Sequence, residues 1–220
     1  MAPAAKEEDL VFYPAFCFKA SPTHFTWVKL AGVDVHQLKR RKEFEAQGTF
    51  FYLNHPIRFV CLVGIIVART EAARCTILTL DDSSGATVDV VVSKPPPPPP
   101  LQQPQTHNDT GTGGRTHQSA TSKTPLDITA LLPGAMTKIK GTLSTYRSTT
   151  QIHLERHFAV PDTNAEMRFL EQRVRFLVEV LAGPWVLADV EVEALREDAD
   201  REEVRVDEER RGAERRRRRR

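Results

Sequence analysis

The sequence predicts a mainly β chain with helices, organised around one small five-stranded barrel. Three observations predict it. Five runs rich in β-branched and apolar residues fall between residues 57 and 160, each bounded by turn residues. Between the third and fourth lies a stretch that opens on six prolines and continues in Gln, Thr, Gly, His and Ser, a composition that builds no core. An amphipathic helical pattern follows the fifth run.

Residues 1–9 are charged and small, and read as a disordered terminus. Residues 10–56 read as an N-terminal arm and short helix packed on the barrel. Phe12-Tyr-Pro-Ala-Phe-Cys-Phe18 is too aromatic to stay in water and reads as an extended arm. Thr26 to Leu30 alternates briefly. Val33 to Phe44 reads as one short helix capped by Asp34, with Val35 and Leu38 on one side. Its Lys39-Arg-Arg-Lys42 cluster is either a solvated helix end or a phosphate contact.

The barrel domain is expected over residues 57–182. Pro56 forces an extended entry. Ile57 to Ala68 is the first strand, with Gly64 where a curling strand needs close backbone approach. Both its faces are apolar, so one fills the barrel and the other needs a cover from the arm or a helix. Arg74 to Leu80 is the second strand, and Asp81-Asp-Ser-Ser-Gly85 is a turn in which Gly85 is free to take positive φ. Thr87 to Val92 is the third. Residues 94–124 read as a disordered Pro-rich insertion, whose polyproline run also has the form of a ligand for an SH3-type domain. Pro125 to Gly134 reads as a short helix or turn. Ala135 to Tyr146 is the fourth strand, with Ile139 and Leu143 on one side and Lys138, Lys140 and Thr142 on the other. Arg147 to Thr150 is a hairpin loop. Gln151 to Val160 is the fifth strand, with Ile152, Leu154 and Phe158 expected inward and His153, Glu155 and His157 outward. Three strands, a short helix and two strands is the order of the OB-fold, a five-stranded barrel used chiefly for binding.

A helix then begins near Ala165. Met167, Leu170, Val174, Leu177 and Leu181 are spaced three and four apart, and Phe176 belongs to a second stripe beside them. One stripe docks a helix on its own domain, while two call for a second surface. This makes it a C-terminal interface helix, with Met167, Leu170, Val174, Phe176, Leu177 and Leu181 as partner-binding candidates. Gly183-Pro184 ends it, and 183–220 reads as an apolar extension and a disordered charged tail. The hexa-arginine end is open to non-specific nucleic-acid contact.

No run of 18 apolar residues is present to cross a membrane. Cys17, Cys61 and Cys75 have no metal-ligand spacing and read as buried reduced thiols. Residues 57–160 carry 10 basic and 7 acidic side chains, a mild excess below that of a tight duplex binder. No catalytic, metal or cofactor constellation stands out, so the chain reads as a non-enzyme. Asp81-Asp82 point to opposite sides of a strand end. His153 and His157 lie about 13 Å apart on a strand, too far to share a metal ion.

Phe51-Tyr-Leu-Asn-His-Pro-Ile-Arg58, Val63-Gly64 and Leu80-Asp-Asp-Ser-Ser-Gly85 resemble the Stn-type subunit of the telomere-capping CST complex, a family related to the middle subunit of replication protein A. Tyr13-Pro-Ala-Phe16 fits its fungal members. The resemblance spans roughly residues 10–92 and 135–182. It implies an OB-fold whose C-terminal helix pairs with a small Ten-type OB subunit. It also implies end protection in the nucleus, at telomeres, together with the larger CST subunit and lagging-strand fill-in by polymerase alpha-primase. The family's C-terminal winged-helix domains have no room in this chain, and the Pro-rich insertion departs from the family core.

OB-folds hold single strands by aromatic stacking and a basic groove. The candidates here are Lys138, Lys140, Tyr146, Arg147, His153 and Arg156, with weak binding expected of the chain alone. A general replication-protein-A-like subunit, a tRNA-binding module and a protein-only adaptor remain the alternatives.

Overall fold

The computed structural model of the chain describes residues 10–96 and 117–218. Five strands make the barrel: β1 (Phe59–Glu71), β2 (Cys75–Asp81), β3 (Thr87–Ser93), β4 (Met136–Tyr146) and β5 (Thr149–Ala159). β1 pairs antiparallel with β2 and β4, β2 with β3, and β4 with β5. The ring is completed by β3 and β5, which run parallel with Val90 opposite Ile152. This is the OB order of strands.

Alternation on each strand sends Val60, Leu62, Leu78, Val90, Ile139 and Ile152 into one continuous core. The long β1 serves two neighbours, β4 along its first half and β2 along its second. Gly64 sits at the changeover. A Cβ there would lie 2.4 Å from the Asp81 carbonyl oxygen, so only glycine allows the approach. The outer face of β1 is covered from both expected sources: Cys61 and Val63 pack with Trp27 of the arm and Phe169 of a helix. Gly85 takes φ 98° in the β2–β3 turn.

That turn also has a tertiary role. Helix α1 (Gly32–Gln37) presents its first N–H groups to it: Gly32 donates to the Asp82 carboxylate at 2.9 Å and Val33 to Ser84 Oγ at 3.1 Å. Asp34 accepts from the Ala31 N–H, 3.0 Å away, and so closes the same helix end. Asp82 further pairs with Arg173 at 3.3 Å, its side chain only 3 % exposed.

Several expectations are corrected. The helix expected over 33–44 stops at Gln37. Lys39–Arg40 then pairs with Phe50–Phe51 as a strand, and Lys42–Gln47 is a 3-10 helix ended by Gly48 at φ 60°. The pairing overrides the local helical pattern. The first strand is likewise two, because His55–Ile57 joins the small Lys39–Tyr52 sheet before β1 begins. The arm is not extended throughout: Ala15–Ala20 coils into a 3-10 helix that buries Cys17 and Phe18 beside Phe44, Phe51 and Trp185.

Residues 117–124 belong to the ordered domain, although the sequence places them in the disordered insertion. Gln118 pairs with Ser93, and Ser119 is buried and hydrogen-bonded to Thr124. Polar side chains anchor both ends of the insertion. Glu71 holds Lys94 at 2.6 Å, accepts from Thr76 at 2.8 Å and pairs with Arg69 at 3.0 Å, while Thr76 meets the buried His117 at 2.7 Å. These donors, the Lys94 ammonium first, hold the Glu71 carboxyl at about 2. The polyproline run lies mostly outside the described residues.

The tail is helical, not disordered. Helix α3 runs from Asp189 to Arg218. Its charges alternate at helical spacing, with Glu193–Arg196, Asp198–Arg201 and Glu202–Arg205 pairs. Val192 and Leu195 dock its first turns on the arm.

Candidate partner and nucleic-acid interfaces

The Asn54-His55 pair of the family-like motif has a structural task. Asn54 Nδ2 donates to the Val11 carbonyl at 2.8 Å and to the Trp185 carbonyl at 2.7 Å, and its Oδ1 accepts from the Trp185 N–H at 2.8 Å. His55 Nε2 donates to the Gly183 carbonyl at 2.8 Å. The motif thus fastens the arm and the segment leaving the C-terminal helix to one spot on the domain.

That helix, α2 (Thr163–Phe176), is capped by Asp162, whose carboxylate accepts from the Ala165 N–H at 2.7 Å. It continues into a π turn over Leu177–Leu181. One side packs on the barrel: Phe169 lies over β1, Leu181 is fully buried, and Phe176, Leu177 and Val180 pack against the same core. The other side is open. Met167 is 47 % exposed, Leu170 36 %, Val174 48 % and Val178 66 %, a continuous apolar stripe spaced three, four and four. The Glu171–Arg175 ion pair and Glu179 border it.

The six partner candidates therefore separate. Met167, Leu170 and Val174 lie on the open stripe, whereas Phe176, Leu177 and Leu181 turn onto the chain's own barrel. The sequence also missed Val178. A straight α-helix keeps Leu181 in phase with Leu170 and Val174. The wider π turn rotates the side chains that follow it, so Leu181 leaves the seam. Nothing in the residue spacing signals that turn.

The nucleic-acid candidates also separate. Lys138, Lys140 and Tyr146 all point outward from β4. Eight residues part Lys138 from Tyr146, about 27 Å of strand. At the hairpin, Arg147 and Ser148 form a two-residue turn at φ 47° and 66°, and the Arg147 guanidinium lies 5.2 Å from the exposed Tyr146 ring. At the other end, Lys138 and Lys140 lie 5.1 and 5.7 Å from the Phe158 ring, and Lys140 lies 5.3 Å from Trp27. Arg156 sits opposite Lys140 across the strands. His153 occupies the middle, beside Gln151, and burial pushes its imidazole below the ordinary value.

From Glu155 onward the fifth strand differs from expectation: Glu155 is buried, His157 lies opposite the inward Ile139, and Phe158 faces out. A bulge between Lys140 and Gly141 opposes Glu155, so the alternation shifts by one residue. Ile152 and Leu154 stay inside, while Arg156 and Phe158 face out and Phe158 is 43 % exposed. Glu155 is buried and accepts from the Thr121 N–H at 2.7 Å and from the Thr121 hydroxyl. Among the described residues, no group of three or more His, Cys, Asp or Glu is placed to hold a metal ion.

Residues 36–95 match the family model for the telomere regulation protein Stn1. Over that stretch the chain resembles Stn1. That match takes in the Asn54-His55 fastening, Gly64 and the Asp82 turn. Two solved structures share the Stn1-type fold along most of their length. The yeast Stn1 and Ten1 structure aligns with a TM-score of 0.55 and 18% identity, over 86% of this chain and 91% of that one. The S. pombe Stn1–Ten1 complex aligns at 0.51 and 19%, over 71% and 94%. No curated protein matches the sequence.

Proposed function

We propose that this chain is a telomere end-protection subunit that forms a heterodimer with a small OB protein of the Ten1 kind. In this reading it acts in the nucleus, at chromosome ends, contributes to binding telomeric single strands, and assists fill-in by polymerase alpha-primase alongside a larger subunit. The observation that carries the reading is the open stripe Met167–Leu170–Val174–Val178 on a helix whose other side is already anchored. Burying four such side chains is worth about 1.5–3 kcal/mol each before ordering costs, comparable to the ~8 kcal/mol of a micromolar complex. The Stn1-type barrel supports the choice of partner, since both aligned structures contain Stn1 together with Ten1.

Co-expression with a small OB protein of that kind tests it. The wild-type chain is expected to co-purify as a one-to-one complex, and Leu170→Asp or Val174→Asp to elute alone with the barrel intact. Normal co-purification of both variants refutes the interface. Equal affinity of the heterodimer for telomeric and unrelated single strands favours a general single-strand subunit. No affinity for either makes the chain a protein-only adaptor.

A further inference from the structure

We infer that the outward face of β4 and β5, extended across the start of β1 to the Trp27–Lys29 strand paired with it, is a base-stacking track for a single strand of nucleic acid. It runs from the Tyr146 hairpin to a second anchor at Trp27 and Phe158. This deepens the single-strand reading above and rests on it.

Three partly exposed rings gather at the far anchor. Trp27 and Phe59 lie 5.0 Å apart, and Phe158 flanks them across Lys140. Cations lie over these rings: Lys138 and Lys140 as given above, and Arg58 at 5.0 Å from Phe59. None of Arg58, Lys138, Lys140 or Arg156 forms an ion pair among the described residues. Unneutralised cations interleaved with rings match a ligand that carries both planar bases and phosphates.

The charge pattern along the strands favours this face. The outward row of β4 is Lys138, Lys140, Thr142, Ser144 and Tyr146, without a carboxylate. Glu155, the one acidic residue of β4 and β5, is buried at the bulge and bonded to Thr121. The neighbouring outward face of β2 and β3 carries Asp81 and Asp89. A polyanion is therefore repelled from β2–β3 and admitted along β4–β5. The row is about 27 Å long, within the span of the 4–16 nucleotides an OB-fold covers.

The chain has two tryptophans, and Trp185 is buried under the arm at 7 % exposure, so Trp27 is a built-in reporter. The full chain is titrated at low salt with oligothymidylate, with duplex DNA and with polyglutamate, following fluorescence and, separately, anisotropy of labelled oligothymidylate. Quenching by the single strand is expected, with little from duplex or polyglutamate. Trp27→Phe keeps the affinity and loses the quenching. Trp27→Ala with Phe158→Ala weakens binding by about tenfold or more. Lys138→Ala with Lys140→Ala lowers the salt slope by about 1.4. Quenching that persists in Trp27→Phe, or affinity unchanged in the double-alanine variant, overturns the track while leaving single-strand binding in place. Quenching of Trp27 by polyglutamate alone assigns the face to an acidic peptide. Absence of single-strand binding even in the heterodimer overturns both the track and the reading beneath it.

Discussion

Leu181 and Val174 lie seven residues apart on one continuous helix and are predicted to behave in opposite ways. Leu181 is fully buried in the barrel core, while Val174 is 48 % exposed on the open stripe. Leu181→Ala removes buried methyl groups and leaves a cavity, a change that costs about 2–5 kcal/mol. In a domain of this size, each kcal/mol lowers the melting temperature by about 2–4 °C, so the expected shift is roughly 4–20 °C. Val174→Asp alters an exposed position and should change stability by no more than about 0.5 kcal/mol. Its effect falls on the partner, because it sets an unpaired charge in the middle of an apolar contact. The assay pairs thermal melting by circular dichroism with gel filtration alongside the small OB partner, well below the lower melting point. Leu181→Ala is expected to melt early and still bind, and Val174→Asp to melt normally and fail to bind. A Leu181→Ala variant that melts like the wild type and loses the partner refutes the assignment of helix faces.

Gly64→Ala brings a Cβ against the backbone of Asp81 and must part β1 from β2, with an expected loss of about 1–3 kcal/mol in urea unfolding; an unchanged midpoint contradicts the close approach. Asn54→Ala leaves two carbonyls and one N–H of the arm and the Trp185 segment without their partner, at about 1–3 kcal/mol for each group that stays dry. Limited proteolysis should then cut first around residues 183–188, and an unaltered cleavage pattern counts against the fastening role. Burial pushes the His55 imidazole below its ordinary value, outweighing the opposing bond to Gly183, and its Nδ1 has no partner to receive a proton. The neutral ring is the folded form, so its contribution is complete above about pH 6.5 and is lost as pH falls below that through the lowered folded value. His24, His117 and His153 shift the same way, also through burial. Urea midpoints should therefore drop as the pH falls below about 6.5, and His55→Gln, which retains a donor, should show a smaller drop.

The amino-acid sequence by itself determined the five barrel strands, their order, the glycine between β1's two partners and the acidic turn. Each depends on alternation or on local backbone preference, which neighbours in sequence express directly. It also marked Met167, Leu170 and Val174 as apolar positions seeking cover. Tertiary structure decided which apolar positions were already covered. A π turn rotated Leu181 onto the barrel, and a bulge at Glu155 turned Phe158 from the core to the surface, where it joined Trp27 from a segment more than a hundred residues away. Both are single-residue phase changes. They alter no composition and scarcely alter the hydrophobic pattern, yet each moves every later side chain to a different face. The tail shows the same limit in another form. Its charges are those of a solvated segment, yet they pair three apart along a helix whose first turns Val192 and Leu195 dock on the aromatic arm, a contact that no local pattern expresses.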